Sequence, residues 1–158
     1  MKKIILVISL LFPIGVFVFL KFFGKNEFSI PVYYGDGIDT PPSTCLRDYK
    51  TPYQVSDSVL INLNWNRKPV LIVTDSSKSV QIALMRLDKE LSNEIQLIFI
   101  TRGSEHLNEV YACDLFLQTP WTTVLLDDQR RIRGYYDPKT RDEVDRMIVE
   151  LKILLKKY

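Results

Sequence analysis

Few side chains in this 158-residue chain are suited to covalent, redox or metal chemistry. Cysteine occurs only at Cys45 and Cys113, and histidine only at His106. The cysteines stand 68 positions apart, which is no local thiol or zinc-ligand motif. Three states are open to them: a structural disulfide, unpaired thiols, or a redox-active pair. Thiol catalysis needs a reachable thiolate in electropositive surroundings. Arg47 lies close to Cys45, whereas Asp114 adjoins Cys113 and disfavours a thiolate there. A lone imidazole without a second histidine or a neighbouring cysteine predicts a surface residue at His106, not a metal ligand. The adjacent acids Asp127 and Asp128 fit turn hydrogen bonding better than a hard-cation site. Ser76 and Ser77 have no histidine beside them to act as base. No catalytic residue, metal site or cofactor is therefore expected.

The elements that position these residues are legible from residue 70 onward. Val70-Leu-Ile-Val73 reads as a buried strand, and Val80, Ala83, Leu84, Leu87 and Leu91 recur at helical spacing over 78–92. The turn between them holds Asp75, Ser76, Ser77, Lys78 and Ser79. Ile95–Ile100 is a second apolar strand, and Ser104 can N-cap a helix over 105–117. Residues 122–127 and 131–136 read as a hairpin joined at 127–130. Thr140-Arg-Asp-Glu143 is a capping-box pattern that opens a helix striped by Val144, Met147, Ile148, Leu151, Leu154 and Leu155. Residues 51–55 and 59–63 are weaker strand candidates. Most of the many aromatic residues, among them Tyr33, Tyr34, Tyr53, Trp65, Trp121, Tyr135 and Tyr136, are expected to fill the core.

The first segment is different in kind. Lys2 and Lys3 precede an apolar run over residues 4–23, interrupted only by Ser9, Pro13, Gly15 and Lys21. About 20 helical residues match the hydrocarbon thickness of a bilayer. No alanine precedes Ala83, so the run lacks the small-residue cleavage site of a signal peptide. An uncleaved single-pass anchor is expected. Lysines flank both ends equally, and Glu27 with the free amino terminus tilts the orientation towards a cytoplasmic N-terminus. The expected division is 1–25 cytoplasmic N-terminus and anchor, 26–50 linker and membrane-proximal segment, and 51–158 folded domain. The domain would then lie on the periplasmic or extracytoplasmic side of the inner membrane, where a disulfide can persist. Residues 28–158 hold 17 Lys and Arg against 18 Asp and Glu, a balance that offers nucleic acid no basic patch.

The order from residue 70, β-α-β-α-β-β-α, is that of the thioredoxin-like fold in the α/β class, here preceded by a single transmembrane helix. In that fold a cis-proline commonly precedes the third core strand, and Pro120 after Thr119 is the candidate.

One stretch adds a closer likeness. Leu125-Leu-Asp-Asp-Gln-Arg-Arg-Ile-Arg-Gly-Tyr-Tyr-Asp137, with the striped helix after it, resembles the C-terminal half of the SCO (synthesis of cytochrome c oxidase) family. The anchor and Phe23-Gly-Lys-Asn-Glu-Phe28 also look like that family. The resemblance implies a membrane-anchored, thioredoxin-fold factor of cytochrome c oxidase assembly. Family members bind copper or perform thiol chemistry through a Cys-x-x-x-Cys in the first strand-to-helix turn and a later histidine. Those positions fall on Ser76, Val80 and Thr119 here, so all three ligands are replaced. Serine is a poor ligand for soft copper and valine is none. Arg130 stands where the family usually has glycine. The resemblance thus implies a degenerate active site and a non-catalytic protein acting through an unknown protein partner, such as the respiratory oxidase or its assembly factors. The alternative is an extracytoplasmic thiol-disulfide oxidoreductase using Cys45 and Cys113.

Overall fold

The computed structural model describes residues 2–23, 28–45, 47–91, 93–100 and 105–156. The predicted N-cap Ser104 lies outside them. The elements in order are α1 (Lys2–Phe23), α2 (Asp57–Asn62), β1 (Val70–Val73), α3 (Lys78–Leu91), β2 (Gln96–Phe99), α4 (Glu105–Glu109) leading into a π-helical turn (Val110–Asp114), β3 (Thr123–Leu126), β4 (Ile132–Tyr136) and α5 (Arg141–Leu154).

Four strands form one mixed sheet in the order β2-β1-β3-β4. β1 runs parallel to β2, to which α3 connects it, and antiparallel to β3, which pairs with β4 as a hairpin. This mixed α/β architecture is compatible with a thioredoxin-like fold. Strand side chains alternate between two cores. Val70, Ile72, Val124 and Leu126 face one side, with Leu60, Val110, Leu115 and Phe116. Leu71, Val73, Leu125 and Tyr136 face the other, where α3 contributes Val80, Leu84, Leu87 and Leu91 and α5 contributes Val144, Met147, Ile148 and Leu151. All four β1 residues are buried, as an apolar run inside a two-sided sheet demands.

Three local expectations are corrected. Residues 59–63 do not form a strand: 57–62 is helical, with Leu60 N–H bonded to Ser56 O and Leu63 N–H to Val59 O, both at 3.2 Å. The β-branched composition yields there to packing, because one face of a short helix can bury Leu60 against the sheet while Ile61 stays exposed. Residues 51–55 form no strand: 51–52 bend, Tyr53 N–H bonds Tyr34 O (3.1 Å) and Val55 N–H bonds Arg130 O (3.0 Å). The helix predicted to reach residue 117 is α-helical only to Glu109 and widens into the π turn.

Residues 28–53 are less a linker than a strap. Ile30, Cys45 and Tyr53 are buried, and Tyr34, Ile38 and Tyr49 pack against the first core. Arg133 Nη2 donates to Ile30 O at 2.6 Å, and Tyr33 N–H bonds Ile132 O at 2.9 Å, which lays the strap along β4.

In α1 the described side chains are Ser9 and residues 11–22, and every one is exposed, whichever side of the helix it occupies. Among the described residues no helix is long and apolar enough to cross a membrane.

Candidate functional site

The end of β1 and the loop before β3 meet in an open cleft of about 530 Å³. Thr74, Asp75 and Ser76 form one wall, Thr119, Pro120 and Thr122 the other, and Lys139 closes one end. The walls are tied by backbone bonding: Thr74 N–H and Thr74 Oγ1 both donate to Thr122 O, at 2.8 and 3.0 Å, and Thr122 N–H donates to Tyr136 O at 3.0 Å. Asp75 shapes the turn by accepting from Ser77 N–H at 2.8 Å, a local Asx-type bond that a short acid makes readily. The Thr119–Pro120 peptide is cis, as is Thr51–Pro52.

The structure brings Ser76, Thr119 and Pro120 together and separates Val80 from them. Val80 is fully buried in the α3–α5 core, so its side chain lines no part of the cleft. The chemistry on offer is four hydroxyls, one carboxylate and one ammonium. Lys139 Nζ stands 3.2 Å from Asp137 and 3.9 Å from Asp75, already engaged as a cation. None of the residues lining the cleft is a cysteine or histidine. Hydroxyls without a base are weak nucleophiles.

The cysteines lie elsewhere. Cys45 and Cys113 form a disulfide, with Cα atoms 5.5 Å apart, and are only 8% and 2% exposed. It joins the strap to the π turn. Arg47 grips the buried Asp114 beside it through two bonds of 2.8 and 2.9 Å, a bidentate fork. Burial lowers the Arg47 pKa, and the Asp114 hydrogen bond and charge more than offset this, leaving it raised. A π turn leaves carbonyls without helical partners, and three tyrosines supply them. Tyr49, Tyr53 and Tyr135 hydroxyls donate to Cys113 O, Asp114 O and Leu115 O at 3.1, 2.7 and 2.8 Å. Burial raises the Tyr53 pKa, and the Asp114 charge adds to the shift.

The remaining candidates have structural roles or fall outside the description. Asp127, 1% exposed, accepts from Gln129 N–H and Arg131 N–H, both at 2.9 Å, and from Arg131 Nε and Arg133 Nη1 at 2.7 and 3.3 Å. It is the keystone of the hairpin turn. The side chain of His106 lies outside the described residues. Among the described residues no group of three or more His, Cys, Asp or Glu is placed to hold a metal ion. The Arg47–Asp114 pair and Lys139 went unseen in sequence, since 67 residues separate the first pair and no local pattern marks either.

A second polar cleft of about 470 Å³ is lined by the end of the strap, the start of α2 and Arg130, which pairs with Asp57 at 2.8 Å and with Gln54 at 3.1 Å. Of its three cations, Arg47, Lys50 and Arg130, the two arginines are matched by Asp114 and Asp57. No protein-family model matches the chain, and no curated protein sequence matches it.

Proposed function

We propose that this is a membrane-anchored, non-catalytic thioredoxin-like protein that acts by binding another protein through the Ser76–Pro120 cleft. By its resemblance to the SCO family, the partner belongs to respiratory-oxidase assembly. Residues 4–23 form the anchor. Its composition supports this, as does the exposure of apolar side chains all around α1, including Leu11, Phe12, Phe17, Leu20 and Phe22. The described part of α1 alone falls short of a span, and the anchor reading takes in the whole apolar run of residues 4–23, whose roughly 20 residues match a bilayer's hydrocarbon thickness if helical throughout. The domain stands on the extracytoplasmic side, where the Cys45–Cys113 bond is at home.

The observation that carries the reading is the cleft itself. Ser76 and Thr119 bring hydroxyls to it where a copper or redox site would need thiol and imidazole groups, and Val80 is buried away from it. Photocrosslinking from position 76 in native membranes, followed by identification of the adducts, tests it. Adducts with the oxidase or its assembly factors support the reading. Unrelated adducts, with oxidase activity unchanged on deletion, sink its oxidase part.

The disulfide gives the alternative, a thiol-disulfide oxidoreductase, its one supporting observation. Burial of both sulfurs argues for a structural bond, because exchange needs an attackable sulfur. Full function in a Cys45→Ser/Cys113→Ser variant removes the alternative; loss of a measurable exchange activity in Cys113→Ser sustains it.

A further inference from the structure

Four residues, 24–27, separate the end of α1 from Phe28. At no more than about 3.6 Å per residue, five peptide links keep Phe28 within about 18 Å of the end of the helix. The chain there has an unusual outer face. From Phe28 to Gly35 it carries no charged side chain, although a quarter of the whole sequence is charged (25%). Ile30 is buried and its carbonyl is held by Arg133, while Ser29, Pro31 and Tyr33 point outward. Phe28 is 58% exposed and Tyr33 39% exposed. Tyr33 is fixed in place, its ring edge-on to Tyr135 at 5.3 Å and its N–H bonded to Ile132 O.

We propose that this outer face of the strap rests in the headgroup layer of the bilayer that α1 spans. The inference depends on the reading of α1 as an anchor and adds an orientation to it. The β4 edge, which the strap covers, then faces the membrane, and the β2 edge faces away, about 14 Å across the sheet. Three features select lipid over a protein occupant. The tether leaves a gap too narrow for a folded partner. The face lacks charge, which a headgroup layer of either sign tolerates. Aromatic side chains, with apolar bodies and in tyrosine a polar tip, favour the membrane–water interface.

The test uses the full chain in phosphatidylcholine–phosphatidylglycerol nanodiscs, with a photoreactive benzophenone residue placed singly at Phe17, Phe28, Tyr33 or Phe99. Phe17 reports the anchor, and Phe99, on β2, reports the opposite edge and is 46% exposed. The expected result is a mass shift of one phospholipid at positions 17, 28 and 33 and no shift at 99. Adducts at 17 without adducts at 28 and 33 overturn the orientation while leaving the anchor intact. Equal adducts at 28 and 99 overturn it as well, because the domain would then have no fixed face. No adduct at 17 overturns the anchor and the orientation together.

Discussion

The ring of Tyr136 lies directly over Gly134, two residues earlier on the same face of β4. A Cβ at Gly134 would stand 2.7 Å from Tyr136 Cζ and 3.1 Å from its Cε2, and closer still to the hydroxyl. The ring is held there from above, its hydroxyl 2.5 Å from Glu150 Oε2 and the Arg146 guanidinium 4.8 Å over its face. The absence of a side chain at 134 is therefore what lets β4 reach α5 through Tyr136. This gives the Ile-Arg-Gly-Tyr-Tyr-Asp phrase a physical meaning that needs no functional site.

Gly134→Ala is expected to destabilise the chain by about 1–3 kcal/mol, the usual cost of overpacking. Relieving a strand glycine would otherwise be favourable by roughly 0.5–1 kcal/mol. The sign should accordingly reverse in a Tyr136→Leu background, where the ring is gone. Urea unfolding of the four proteins of this cycle in detergent gives the coupling; equal costs in both backgrounds would show that Tyr136 is not the obstacle.

The sheet and its two long helices were legible because periodicity reports burial directly. Val70–Val73 is apolar on both faces, and the stripes of α3 and α5 are the residues that pack together beneath the sheet. The capping box was half right: Thr140 Oγ1 accepts from Glu143 N–H at 3.4 Å, but the Glu143 carboxylate takes Arg146 at 2.8 Å. What stayed hidden depends on contacts distant in sequence. The π turn is fixed by tyrosines from the strap and from β4, and α2 by a single buried leucine. Of the site, Ser76 and Thr119–Pro120 could be placed from element order. Val80 opens the apolar stripe of α3, which already marks it as inward-facing, and the structure buries it there.

The strap and the π turn are joined by a covalent bond and by an ion pair, and the two should contribute separately. Removing both cysteines by Ser substitution should cost about 4 kcal/mol in the chain-entropy model for a 68-residue separation. Asp114→Ala should cost less, about 1–3 kcal/mol, since the freed Arg47 side chain is already 36% exposed and water can solvate it. Unfolding of the oxidised and reduced wild type and of Asp114→Ala separates them. A reduced protein as stable as the oxidised one would show that noncovalent contacts alone hold the strap.

Arg130 occupies the turn of the hairpin with φ of +66°, where L residues other than glycine are strained. Its side chain compensates by pairing with Asp57 at the start of α2. Arg130→Ala keeps the strained backbone and loses the pair, whereas Arg130→Gly loses the pair and relieves the backbone. Glycine should be the more stable of the two by about 1 kcal/mol. Equal stability of the two variants would mean that the turn relaxes around alanine.

Alkaline pH should unfold this protein in a way that reports its tyrosines. Burial raises the pKa of Tyr53, Tyr135 and Tyr136, and for Tyr136 the Glu150 hydrogen bond adds to the shift. Their unfolded-state value is about 10. A folded pKa above the unfolded one means that the folded state holds its protons longer. The stability these groups contribute is complete below about pH 10 and is lost as pH climbs towards the folded values. Between those limits each tyrosine should steepen the decline by about 1.4 kcal/mol per pH unit. Denaturant unfolding from pH 8 to 11 should therefore be flat and then fall, and Tyr136→Phe should remove one such increment from the slope while leaving the flat region. A slope unchanged by Tyr136→Phe would mean that this hydroxyl reaches water in the folded protein and that its bond to Glu150 does not hold β4 to α5.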